Sequence, residues 1–213
     1  MDWALKNSSQ IFELIGTHLL VSIVPLILGS LIAITAARLV SKKIAPGINA
    51  VLGAIYAVPS LALFVALPLI IGTSYIGPTN VVIALTLYVI AAVFFSARDA
   101  FSQVPTPVIF FAKAQGFSRR QIVWTVELPL AIPGLISGLR VAAASTVSMA
   151  SIGAVAGVKN LGYLFLDGFQ RKIPEEIATG LIAIFLIATF LDLGLWVLGK
   201  FLTPWTSKRY LNA

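Results

Sequence analysis

Few residues in this chain could carry covalent chemistry. It has one histidine, His18, no cysteine and eight acidic residues. That excludes disulfides, thiolate metal sites and a metal site built on histidine alone. GxxxxGK[ST] is absent, so no phosphate-binding loop is encoded, and the absence of HExxH, GxSxG and paired intramembrane acids disfavours a membrane-embedded enzyme. What remains is charge in unusual places. Arg140 interrupts one apolar run and Asp192 another, while Lys113, Arg119 and Arg120 surround Gly116 among Phe110, Phe111 and Phe117. This chemistry is ion pairing and docking. A charge at mid-bilayer costs roughly 2.5–3.5 kcal/mol, so Arg140 is a functional-site candidate by default. It lies seven residues past Pro133, about 10 Å along a helix, close enough to the inner face to snorkel. Anchoring is therefore favoured over solute contact, with Asp192, eight residues before Lys200, as the prospective partner.

The elements that hold these residues are apolar. Of 213 residues, 59% are hydrophobic and 11% charged, against roughly 45–50% and 25% in soluble domains. No formal charge occurs between Glu13 and Arg38, nor from Ile44 to Ala97, and about 20 apolar residues suffice to cross a bilayer. The chain reads as an all-α, polytopic membrane protein: one transmembrane domain over residues 1–213, with five spans and room for six. The first apolar run is too long for a signal-peptide core and is read as a retained span.

The spans are placed at Leu19–Val40, Ile48–Ile71, Asn80–Ala97, Pro129–Gly157 and Ile177–Leu198, with turn residues from Gly72 to Asn80 dividing the long uncharged stretch. Arg38, Lys42, Lys43, Arg98, Lys113, Arg119, Arg120, Lys200, Lys208 and Arg209 then fall on one side, most of the fifteen basic residues. By the positive-inside rule that side is cytoplasmic, the N-terminus is outside and the C-terminus inside. The net charge of +7 thus reflects orientation in a lipid bilayer, not affinity for nucleic acid. Trp196 and Trp205, flanking Lys200, fit an interfacial anchor.

Residues 98–128 form the largest cytoplasmic feature. Thr106-Pro107 opens a first short helix with a hydroxyl cap, running through Phe110, Phe111, Ala112, Lys113 and Ala114 to Gly116. Ser118-Arg119-Arg120-Gln121 matches a capping box and opens a second helix, stopped by Leu128-Pro129. Aromatic residues beside cations outside the bilayer suggest a surface covered by another protein; the alternative is an amphipathic hairpin on anionic lipid.

Spacing favours the protein partner. Ala112, Gly116, nine residues, then Val126-Glu127-Leu128-Pro129 resembles the Glu-Ala-Ala, Gly, nine residues, Ile-x-Leu-Pro signature of permease subunits of type I ATP-binding-cassette importers. Phe110 and Phe111 stand where that signature has its glutamate and first alanine. Val58-Pro59-Ser60-Leu61-Ala62-Leu63, Gly138-Leu139-Arg140 and Asn160-Leu161-Gly162 are similar to the osmoprotectant permeases, which serve glycine betaine, carnitine and choline. Methionine-importer permeases share the architecture and much of the loop. The resemblance implies that this chain is not an enzyme and holds no cofactor, ATP and Mg being on a partner ATPase. That ATPase would dock on Phe110, Phe111, Ala112, Lys113, Ala114, Gly116, Phe117, Ser118, Arg119, Arg120, Leu128 and Pro129. It further implies a second permease, identical or homologous, an extracellular solute-binding protein, and residence in a prokaryotic cytoplasmic membrane.

Other features are weighed as packing or pathway. Gly134/Gly138 and Gly153/Gly157 have GxxxG spacing, which marks the fourth span as a packing helix or subunit interface. Pro59 and Pro68, with Ser60, would kink the second span and free carbonyls, which is compatible with a pathway or a simple kink. His18 is assigned no function. An ion-coupled secondary transporter is the rival class, disfavoured because deep carboxylates and an inverted repeat are lacking.

Overall fold

The computed structural model describes residues 2–41, 43–74 and 77–205. Lys42, Tyr75, Ile76, Lys208 and Arg209 lie outside them. Among the described residues the regular structure is helical: α1 (Asp2–Lys6), α2 (Ser8–Leu39), α3 (Ala45–Ala57), α4 (Ser60–Ile71), α5 (Pro78–Ser102), α6 (Thr106–Ala114), α7 (Arg119–Ile122), a π-turn (Val123–Glu127), α8 (Leu128–Ile152), α9 (Tyr163–Arg171) and α10 (Pro174–Leu202).

Side-chain contacts give the direction of each long helix. At one end of the bundle Arg98 donates to the Val40 carbonyl at 3.3 Å. Midway, Gly29 approaches Val89 and the Thr86 carbonyl so closely that an added β-carbon would lie 2.7 Å from Val89 Cβ. Thus α2 and α5 run parallel, and the chain between them must return from one end of the bundle to the other. Ile48 and Leu52 of α3 pack near Ala37 and Ala97, while Phe64 and Leu67 of α4 pack at the far end with Val21, Val81 and Ala150. Together α3 and α4 make that return. Gly134 and Gly138 face Ala100 and Ser96, which sets α8 antiparallel to α5; Gly199 against Ile136 and Asp192 against Arg140 set α10 antiparallel to α8. The described residues therefore cross the bundle five times, the bent pair α3–α4 counting as one crossing, and the start of α2 and the end of α10 lie at opposite ends.

Several expected boundaries move. The first span begins at Ser8, because the amphipathic approach continues the same helix and its Leu14 packs on Leu161 and Leu164. The second span is broken, α3 and α4 meeting at 107°. Val58 is extended at φ −67°, ψ 132°, as a residue before proline prefers. Pro59 thus breaks the span, whereas Pro68 sits inside α4 without interrupting it. The third span runs on to Ser102, bringing Arg98 into a helix.

At the far end α8 stops at Ile152, so Gly153 and Gly157 lie in a turn and make no helix-packing motif; Gly157 has φ +82°. Buried Asn160 secures that turn, donating to the Ala150 carbonyl at 2.7 Å and accepting from the Gly162 amide at 2.8 Å. In α9, Arg171 donates to Asp167 at 2.8 Å and Tyr163 donates to it at 3.3 Å. The Arg171 hydrogen bond holds the Asp167 carboxyl below the ordinary carboxylate range.

Candidate functional site

The segment after α5 is built from two interlocking helix ends. The expected Thr106 cap is not made: Pro105 occupies the N-cap without a side-chain bond, and Thr106 is already helical. α6 ends at Gly116, which takes φ +85°. The Gly116 amide donates to Lys113 O at 2.9 Å and the Phe117 amide to Ala112 O at 3.1 Å. These two bonds define a Schellman end, which favours glycine at the left-handed position. One residue later the capping box forms: the Gln121 amide donates to Ser118 Oγ at 3.3 Å, and the Ser118 amide to Gln121 Oε1 at 2.8 Å. The chain thus reverses in a rigid turn of a few residues.

The second helix does not stop at Leu128-Pro129. It runs through the π-turn into α8, as one helix from Arg119 to Ile152. Pro129 cannot donate to the carbonyl four residues back, and the widened turn accommodates this, with the Leu128 amide reaching Val123 O. The turn also aims Glu127 at Arg38, whose Nε donates to it as an ion pair between the end of α2 and the base of α8. A cavity of about 430 Å³ lies beside this pair, lined by Arg38, Ile109, Lys113, Phe117, Arg119, Ile122 and Glu127.

Of the residues expected on the docking surface, most are exposed. Phe110 and Phe111 are 66% and 64% exposed, their rings edge to face at 6.1 Å. Lys113, Ala114, Gly116, Phe117, Ser118, Arg119 and Arg120 are exposed with them. Three are not: Ala112 is buried, and Leu128 and Pro129 are half-buried, Leu128 against the bundle core. They position the knob. The Arg38–Glu127 brace was missed, because Glu127 has several basic residues within reach in sequence and only the π-turn selects one.

The remaining expectations separate cleanly. Arg140 and Asp192 meet in a two-pronged pair, Nε to Oδ1 at 2.6 Å and a terminal guanidinium nitrogen to Oδ2 at 2.7 Å. Gly134 and Gly138 serve packing of α8 on α5 within the chain. Pro59 is exposed at the α3–α4 break, Ser60 opens α4, and the Val58 carbonyl accepts a hydrogen bond from the Tyr88 hydroxyl. His18 is buried with Nε2 3.2 Å from Val147 O, a packing contact between α2 and α8. Lys200 Nζ sits 3.8 Å over the Trp196 ring, as an interfacial anchor would.

Comparison with known proteins bears on the family and the fold. The chain is 26% identical over 212 residues to the choline transport system permease protein OpuBD of Bacillus subtilis (strain 168), covering 98% of this chain and 92% of that one. It is also 26% identical over 212 residues to the carnitine transport permease protein OpuCD of Listeria monocytogenes serotype 1/2a (strain 10403S), covering 98% and 94%. In fold it resembles a chain of an inward-facing structure of the MetNI methionine ABC transporter, with a TM-score of 0.82 at 20% identity over 92% of this chain and 97% of that one. Residues 26–209 match the family described as binding-protein-dependent transport system inner membrane component, and the chain belongs to that family.

Proposed function

We propose that this permease subunit forms part of the route for a small quaternary-ammonium compatible solute such as glycine betaine, choline or carnitine. A cytoplasmic ATPase drives it through the knob around Gly116. The observation that carries this reading is the rigid turn from Phe110 to Arg120. It presents aromatic and cationic side chains away from the bundle, while the Arg38–Glu127 pair ties its base to the first span. A force applied to the knob is thus delivered to α2 and α8 together. The choline and carnitine permeases that match nearly the whole chain support the solute class. Phe110 and Phe111, in place of a polar opening, make the docking contact chiefly apolar.

With one knob and five crossings, the chain engages one ATPase. A second permease, identical or homologous, completes the route by two-fold symmetry, and a solute-binding protein delivers cargo from outside. The knob end carries most of the described basic residues, which supports a cytoplasmic knob and C-terminus and an outside N-terminus.

The test is co-purification from the native membrane in mild detergent, followed by uptake in proteoliposomes. The reading expects an ATPase, a permease partner and a binding protein, with ATP-dependent uptake of choline or glycine betaine. Uptake of methionine in their place would transfer the assignment to the amino-acid importers. Transport driven by an ion gradient without the ATPase would overturn it.

A further inference from the structure

We infer that the groove between α3, α5 and α8 is this chain's half of the solute route, with Tyr56 and Asp99 selecting for a cation. The inference rests on the importer reading above and adds the residues that meet the solute.

On α5, Ala92, Ser96, Asp99 and Gln103 recur at helical spacing and form one stripe; Gly134, Ser137, Gly138, Val141 and Ser145 form the facing stripe on α8. Tyr56 of α3 completes a cavity of about 500 Å³, within the roughly 300–1,000 Å³ usual for small-molecule sites. Its chemistry differs from the rest of the outer surface. α10 exposes Leu181, Ile182, Phe185, Leu186, Phe190 and Leu193, as a face on lipid should. The groove instead carries three serines within the span, with a carboxylate and a carboxamide at its inner mouth, and polar groups at membrane depth persist only against water or protein. Ser96 bonds back to its own helix at Ala92 and Val93, which leaves a smooth wall. Ser137 and Ser145 have no hydrogen-bond partner among the described residues.

Two features favour a cation. Asp99 is exposed and makes no ion pair among the described residues, because neighbouring Arg98 turns away to Val40 O and the Phe94 ring. Tyr56 stands edge to face with Tyr88 at 6.0 Å. Tyr88 is held by the carbonyl freed at the Pro59 break, and 43% of Tyr56 remains exposed. An aromatic surface attracts a quaternary ammonium at modest strength. Tyr88 and Asp99 are eleven residues apart on α5, about 16 Å of rise. The ring and the carboxylate are therefore successive stations, which suits passage better than tight storage. The groove is open on its outer side, and the second permease supplies that wall.

The chain lacks cysteine, so labelling read on this chain after separation from its partners reports each single introduced thiol without background. In the assembled complex in membrane vesicles, Ser96→Cys, Ser137→Cys and Ser145→Cys are treated with trimethylammonium-ethyl methanethiosulfonate or its sulfonate analogue; Leu186→Cys is the lipid-facing control. The groove thiols should react and Leu186→Cys should not. At Ser96→Cys the preference for the cationic reagent, taken relative to that of a free thiol in solution, should be about tenfold, from the nearby carboxylate. Asp99→Asn should erase that preference, and Tyr56→Leu, but not Tyr56→Phe, should raise the KM for choline uptake. Groove thiols that stay unreactive would overturn the assignment, and a cationic preference no greater than that of a free thiol would overturn the role of Asp99. If the wild-type complex takes up no choline yet its groove thiols react with the cationic preference, the solute reading fails while the groove stands.

Discussion

Arg38 and Glu127 are 89 positions apart in sequence and joined as an ion pair at the base of the knob. Neither is fully exposed, their side chains being 26% and 13% accessible. One belongs to the last turn of α2 and the other to the π-turn that feeds α8, so the pair links two crossing helices to the docking element.

Removing either partner should loosen that link. Arg38→Gln or Glu127→Gln should cost about 1–3 kcal/mol of stability, the range for leaving a part-buried polar group without its partner, and lower uptake several-fold with ATP hydrolysis partly retained. The exchange Arg38→Glu with Glu127→Arg should recover most of the uptake. Wild-type uptake in both single variants would show that the pair transmits nothing.

Gly116 is the second point of control. Any L-residue at φ +85° accepts a left-handed backbone, costing about 1–2 kcal/mol. Gly116→Ala should therefore insert normally and transport at a reduced rate. Gly116→Asp adds a negative charge among Lys113, Arg119 and Arg120 and should abolish uptake at normal expression. Full uptake by Gly116→Asp would remove the knob from the coupling path.

Much of this site is visible in sequence because it depends on local rules. The glycine end of α6 and the Ser118 capping box are set by contacts within a few residues, and both form as the residue types dictate. The boundaries that moved depend on long-range packing. Leu14 extends the first helix because Leu161 and Leu164 cover it, and Pro129 stays inside a helix because a π-turn absorbs the missing donor. The break at Pro59 was legible as a proline effect, but its 107° angle was not. Periodicity gives the apolar runs and says nothing of the angle between them. The groove stripe on α5 was hidden for a similar reason: Ser96, Asp99 and Gln103 straddle the expected membrane boundary at Ala97, so their common face was divided.

Asn160 tests the far end of the bundle. It is fully buried and both its amide groups are used, on Ala150 O and the Gly162 amide. Asn160→Ala should lower stability by about 1–3 kcal/mol by orphaning those backbone groups. Asn160→Asp should fare no better, since it keeps the acceptor but loses the donor. Thermal unfolding of the detergent-solubilised complex would measure both. An unchanged midpoint would show that water replaces the side chain.

The Arg140–Asp192 pair separates anchoring from solute contact. Its atoms are half-exposed, 36% for each side chain, on the outward side of α8 and α10. By register with Ser96 and Ala100 it lies roughly 10 Å inside the end of α5. A lone guanidinium at that depth cannot discharge itself, whereas a lone carboxylate can take up a proton. Asp192→Leu should therefore reduce membrane accumulation more than Arg140→Leu does. Removing both charges leaves nothing uncompensated, so the double variant should accumulate better than Asp192→Leu alone. If the pair only fixes α10 against α8, the double variant should also transport near the wild-type rate. A double variant that accumulates fully but takes up no solute would instead place Arg140 on the transport route, reversing the preference for anchoring drawn from its position past Pro133.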